Sequence, residues 1–130
     1  MPVWAQQWVS TRVDNVNMRS GPGTQFPVQW QLAKGYPLQV KARRNNWLHV
    51  KDFEGDSGWV AVSVTSRQPH HIVKSKSANL RMGPSTRQRV VGRAEYGDLL
   101  RTVKRQGAWV RVKLSHGRTA WISSSLVWGW

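Results

Sequence analysis

Cysteine is absent from the 130 residues, which rules out disulfides and thiolate-bound metal and leaves nothing from which to read a redox compartment. Acids are few: six Asp and Glu stand against 20 Lys and Arg, for a formal charge of +14. No stretch reaches the roughly 20 consecutive apolar residues of a transmembrane helix. Apolar residues at the spacing of an amphipathic helix are also hard to find. Most enzyme chemistry lacks its parts. Asp14, Asp52, Glu54, Asp56, Glu95 and Asp98 fall mainly at expected turns, where carboxylates cap the backbone or face water. Asp52-x-Glu54-x-Asp56 resembles the opening of a calcium loop, but no ligand-rich remainder follows. The adjacent pair His70-His71 reads as solvated rather than metal-bound. No catalytic residue, cofactor or metal is expected.

What the chain does have is a repeat. Sliding it by 62 residues aligns Asn17-Met18-Arg19-Ser20-Gly21-Pro22 with Asn79-Leu80-Arg81-Met82-Gly83-Pro84, and the match continues through Trp47/Trp109, Gly55/Gly117 and Trp59/Trp121. Unrelated segments of that length share about three identities. The matching Gly and Trp landmarks therefore mark two copies of one small domain. Each copy has only about 60 residues, near the lower limit for independent folding. Nine Trp answer that shortage, since each can bury about 150–250 Å². Trp is thus the expected main packing residue.

Short alternating runs bounded by Gly, Pro, Asn and Asp recur about every ten residues, the pattern of a small all-β barrel or sandwich. Strands are expected at 8–13, 16–19, 28–32, 38–43, 47–51 and 58–61, and again 62 residues on. Turns fall at 20–23, 34–35, 44–46 and 52–56. Residues 65–71 read as a short polar link. In Trp47-Leu48-His49-Val50-Lys51, alternation puts Leu48 and Val50 on one face and Trp47, His49 and Lys51 on the other. Trp109, Arg111 and Lys113 oppose Val110 and Val112 in the same way. A Trp among cations on a wet face suits shallow ligand binding, although it could instead fold over a loop to close the barrel end. Val60 and Ile122 look like core, and Trp59 and Trp121 look more like packing than recognition.

The loop 20–24 is Gly-rich without the Lys-Ser/Thr of a phosphate cradle, so its glycines are read as reversing the chain. Arg19 and Arg81 either fork a ligand carboxylate or lock this loop through backbone carbonyls, the second being favoured. Charge is uneven: seven Lys and Arg face four acids through Ser66, and 13 face two from Arg67 onward. Such a surplus attracts nucleic acid, anionic envelope polymers or anionic lipid, and also serves plain solubility.

The order Asn-x-Arg-x-Gly-Pro, aliphatic strand, Gly turn, Trp-x-x-Val, Gly turn and Trp-(Val/Ile) resembles the bacterial SH3 family. Trp30-Gln31-Leu32, Gly58-Trp59-Val60 and Leu126-Val127-Trp128-Gly129 narrow the likeness to a tandem, exported group of unassigned function. The resemblance implies an all-β chain of two tandem SH3-like barrels, at 8–66 and 70–128, joined by a short linker. It implies holding a ligand rather than transforming it, because such modules often accompany cell-wall enzymes and grip peptidoglycan peptides. By the same likeness the loop after Asn17 walls a groove beside Trp47. The ligand-binding set is then Asn17, Arg19, Thr24, Phe26, Trp30, Tyr36 and Trp47 in copy one, and Arg81, Arg87, Arg89, Tyr96 and Trp109 in copy two. Copy two departs from the pattern at Ser85, Ala120 and Arg87-Gln88-Arg89, so its ligand need not be that of copy one.

The leading expectation is a non-catalytic module for a cell-envelope polymer or peptide. Nucleic acid is the second, and a protein partner held partly by a sticky Trp128/Trp130 tail is the third. Val3-Trp4-Ala5 before Gln6-Gln7 places small or aliphatic residues where a leader peptidase cuts, which points to a periplasmic or secreted protein.

Overall fold

A computed structural model describes residues 7–130, and Val3-Trp4-Ala5 of the expected cleavage point lies outside them. The chain divides into two compact units between Arg67 and Gln68. Unit 1 consists of β1 (Gln7–Thr11), β2 (Val16–Arg19), β3 (Val28–Leu32), β4 (Pro37–Arg44), β5 (Trp47–Lys51), β6 (Ser57–Ala61), a 3-10 turn at Val62–Val64 and β7 (Thr65–Ser66). They make one antiparallel sheet in the order β3-β2-β6-β5-β4-β1-β7. Unit 2 repeats this with β8 (His70–Val73), β9 (Ser77–Arg81), β10 (Val90–Glu95), β11 (Leu99–Gln106), β12 (Trp109–Lys113), β13 (Thr119–Ser123), a 3-10 turn at Ser124–Leu126 and β14 (Val127–Gly129). Its order is β10-β9-β13-β12-β11-β8-β14. The all-β, tandem SH3-like expectation holds, and each expected strand is present to within two residues at either end.

A single sheet has no second layer, so it buries an apolar face only by curling around it. Met18, Leu38, Val50 and Val60 at the centre of unit 1 are fully buried, as are Val112 and Ile122 in unit 2. Alternation puts them there: the burial along β5 runs half-buried, buried, half-buried, buried, half-buried. Register shifts at Val40/Ala42 and Thr102/Lys104 fall in the long strands β4 and β11, where an extra residue tightens the bend.

Tryptophan does not fill these cores. The clusters are built from Val, Leu, Ile, Met and Ala, and no described Trp is fully buried. With Val60 and Ile122 facing inward, alternation forces Trp59 and Trp121 outward, where their rings cover the sheet's convex side. The polar link is also shorter than expected. Ser66 pairs with Ser10 and Thr65 with Thr11, while His70 and His71 belong to β8, leaving 67–69 between strands. Residues 128–130 form no loose tail: β14 pairs with β8, and the Trp130 N–H donates to the His70 carbonyl at 3.2 Å.

The expected turns separate by mechanism. Gly35, Asn45 and Gly55 take positive φ, which their residue types tolerate. Gly21 serves a different purpose from the chain reversal expected of it: the Phe26 ring lies where its Cβ would be. The turn acids cap backbone, as expected. Asp52 Oδ1 accepts from the Glu54 and Asp56 amides at 3.0 and 2.9 Å, and Asp14 Oδ1 accepts from the Lys34 amide.

Candidate functional site

The outward face of β5 in unit 1 carries Trp47, His49 and Lys51, and β6 lies beside it with His49 opposite Trp59. The His49 and Trp59 rings stack with centroids 4.8 Å apart and planes 19° from parallel. On the far side of β6, β2 places Arg19 opposite Trp59. A row Arg19, Trp59, His49 therefore crosses three strands, with Trp47 two residues along β5 from His49. All four side chains are half-buried, so the face offers flat ring surface to solvent while each residue is held by its neighbours.

Unit 2 builds the same row with different chemistry. Arg81 lies opposite Trp121, and Trp121 opposite Arg111, so the cross-strand neighbours of this Trp are two arginines, where Trp59 has an arginine and a histidine. Trp109 is half-buried two residues from Arg111, whose Nη2 donates to Thr119 Oγ1 at 3.1 Å. The two faces share a frame and differ in charge.

Arg19 and Arg81 hold the loops beside them. Arg19 Nη1 donates to the carbonyls of Thr24 and Phe26 at 3.0 and 2.9 Å, and Arg81 Nη1 to those of Thr86 and Gln88 at 3.0 Å each. The favoured locking role is the one observed.

The structure gathers part of the expected binding set. Asn17, Arg19 and Trp47 share the outer face, and Asn17 Oδ1 accepts from Gln31 Nε2 at 3.1 Å. Thr24 and Phe26 join through their carbonyls. The loop that carries them does not wall a groove beside Trp47, because the antiparallel pairing of Arg19 with Trp59 sends 20–27 toward the β5–β6 turn, the far end of β5 from Trp47. Trp30 is 49% exposed on the edge strand β3. Tyr36 is not at this site: it precedes β4, its ring centroid is 6.2 Å from that of Phe53, and it packs on the core at the opposite end of the β4–β5 hairpin from Trp47. In unit 2, Arg81 and Trp109 share the outer face, Arg87 and Arg89 lie on the exposed 82–89 loop, and Tyr96 is half-exposed at the β10–β11 turn. Sequence reasoning put His49 and Arg111 on the outward face with Trp47 and Trp109 but left them out of the binding set, and it read Trp59 and Trp121 as packing. The signal for the Trp pair was available: a core Val60 or Ile122 requires an outward neighbour.

His71 overturns the expectation of a solvated pair. It is 3% exposed, and its Nδ1 lies 2.6 Å from Thr102 Oγ1. The Thr102 hydroxyl donates its one proton to the Trp130 carbonyl at 2.7 Å, so Nδ1 carries the hydrogen that Oγ1 accepts. Burial lowers the His71 pKa to about 4, helped by the positive charge of Arg105 and by His70. Asp52 is pushed above the ordinary carboxylate value by burial, against the pull of the Asp56 and Glu54 amides. Among the described residues, no three His, Asp or Glu gather as a metal cage, and no helix is long and apolar enough to cross a membrane.

Family models described as bacterial SH3 domain match residues 12–66 and residues 76–127. The chain is a tandem of two bacterial SH3 domains. Proteins similar to it include "Putative N-acetylmuramoyl-L-alanine amidase YrvJ" of Bacillus subtilis (strain 168), 27% identical over 125 residues, covering 88% of this chain and 24% of that protein. "Probable cell wall amidase LytH" of Staphylococcus epidermidis is 33% identical over 52 residues, 39% of this chain and 18% of the relative. The tandem thus spans about a quarter or less of these relatives. Among solved structures, an NlpC/P60 family protein from Bacillus cereus aligns over 95% of this chain and 56% of its own, with TM-score 0.44 and 15% identity.

Proposed function

We propose that this tandem is a non-catalytic, extracytoplasmic module that captures a cell-wall ligand, a peptidoglycan peptide or an anionic envelope polymer, on its two indole faces. The observation that carries the reading is the pairing of half-buried Trp47 and Trp59 with His49 and Arg19 on one convex face, repeated by Trp109, Trp121, Arg111 and Arg81. Rigid aromatic area beside cations supports recognition of a ligand that has both an apolar body and an anionic group. The names of the relatives, a putative N-acetylmuramoyl-L-alanine amidase and a probable cell wall amidase, support the wall as its location. The few carboxylates cap turns, which favours capture over conversion.

Cosedimentation with purified sacculi tests it. Trp47→Ala with Trp109→Ala is expected to weaken binding by about tenfold or more, the effect of losing a central aromatic anchor, while the circular dichroism spectrum stays that of the parent. Pelleting unchanged by the double substitution removes the indole faces from the function.

A further inference from the structure

Unit 2 contains a cleft of about 570 Å³ between the 82–89 loop and the β12–β13 turn. Met82, Arg89, Val91, Leu114, His116 and Arg118 line it, and its volume lies within the roughly 300–1,000 Å³ of small-ligand sites. None of the indoles lines it, so it is separate from the faces described above.

The fold does not require these residues. Sixty-two positions earlier, unit 1 builds the same place with Ser20, Pro27, Gln29, Asp52, Glu54 and Asp56. A backbone that accepts Ser20 and Gln29 has no packing need for Met82 and Val91, which are 57% and 46% exposed. Exposed apolar groups gathered in a concavity mark a surface that another molecule covers. Three acids at the unit 1 turn give way to Leu114, His116 and Arg118, so the sign of the charge reverses as well.

The guanidiniums here are also uncommitted. Arg81, Arg101 and Arg111 each donate a side-chain hydrogen bond within unit 2. Those of Arg89 and Arg118 have no such bond among the described residues. A planar guanidinium matches a carboxylate, and the aliphatic lining matches an alkyl stem. No Trp, Tyr or Phe lines the cleft, which leaves a base only the His116 imidazole to stack on.

We propose that this cleft is a binding site for the carboxylate end of a short aliphatic peptide, with Arg89 and Arg118 meeting the carboxylate and Met82, Val91 and Leu114 meeting the stem. Unit 1 carries Pro27, Asp52, Glu54 and Asp56 at the matching positions, so the guanidiniums that would meet the carboxylate belong to unit 2.

Amide-detected NMR titration of the full chain with N-acetyl-alanyl-alanine tests it. The expected result is saturable shifts at Met82, Arg89, Val91 and Leu114 below about 20 mM ligand, with the C-terminal amide of the same dipeptide about tenfold weaker. Arg89→Ala with Arg118→Ala is expected to weaken binding about tenfold. His116→Glu with Arg118→Asp installs the side chains that unit 1 already carries at its own turn, and is expected to give the same loss on an intact fold. Lys74→Ala with Lys76→Ala removes equal charge elsewhere on unit 2 and is expected to leave the titration unchanged. Four results overturn the proposal: no saturable shifts, an amide that binds as well as the acid, equal weakening by the lysine pair, or tighter binding of glycerol 3-phosphate or a thymidine oligonucleotide. The readout is separate from sacculus pelleting, so either proposal can fail alone.

Discussion

His71 shows how one side chain records the difference between the copies. At the matching places unit 1 has Val9 and Val40, whereas unit 2 has His71 and Thr102 joined by a hydrogen bond that continues to the Trp130 carbonyl. Thr102→Val leaves the buried Nδ1–H without an acceptor and is expected to cost about 1–3 kcal/mol in urea denaturation. His71→Val with Thr102→Val restores the unit 1 pair and is expected to cost less than the single change, a non-additivity that a double-mutant cycle reads directly. The imidazole also sets a pH window. It stays neutral in the folded chain down to about pH 4, whereas the unfolded chain takes up the proton below its ordinary value of 6.5. Stability is therefore full above about pH 6.5 and falls as pH drops toward 4, by about 2–3 kcal/mol at the foot of the window. Comparing the parent with the Val/Val variant at pH 7.5 and 4.5 isolates this component, and parallel curves refute it. The sequence marked the residue and misread its surroundings, because its partner is 31 residues away and no local pattern reports that distance. Tryptophan was misread for a related reason. Abundance suggested core, but in a curled single sheet the interior suits aliphatic side chains and leaves large rings on the convex side.

Strands were the most legible elements, since period-two alternation acts within a few residues. The short ones that close each sheet were not. Thr65–Ser66 has no apolar residue to alternate, and it is a strand only because Ser10 and Thr11 offer a free edge more than 50 residues back. The departure at Gly58 and Ala120, visible in the sequence, has a packing cause. A Cβ at Gly58 meets Met18 Cγ at 2.7 Å and the Arg19 carbonyl at 2.9 Å, while unit 2 accommodates Ala120 in a core where Leu80 stands in the place of Met18. Gly58→Ala is expected to cost about 1–3 kcal/mol by overpacking. Adding Met18→Leu is expected to recover part of that cost, the carbonyl contact remaining. Thermal melts of the single and double variants check this, and a second change that deepens the loss contradicts the steric account.

For the whole molecule the governing asymmetry is charge: 13 Lys and Arg against two acids from Arg67 onward, and seven against four before it. Attraction between exposed charges fades with ionic strength, so sacculus binding is expected to drop several-fold between about 50 and 500 mM salt, where the screening length shrinks from above 10 Å to a few ångströms. Neutralising exposed Lys74, Lys76 and Lys104 to Gln is expected to reduce low-salt pelleting more than neutralising Lys34, Lys41 and Arg44, also exposed, in unit 1. Equal losses from both sets place the ligand under the field of both units alike. Composition revealed this imbalance at once. The cleft that concentrates part of it was hidden, because Arg89 and Arg118 come from two loops that only the sheet order brings together. One further consequence lies in the pairing of β1 with β7 and of β8 with β14. The strand by which the backbone enters a module is thus the immediate neighbour, about 5 Å away, of the strand by which it leaves. A module with adjoining ends behaves as a cassette: genetic duplication can splice in another without prying its host open, and each copy is then free to diverge toward a new ligand.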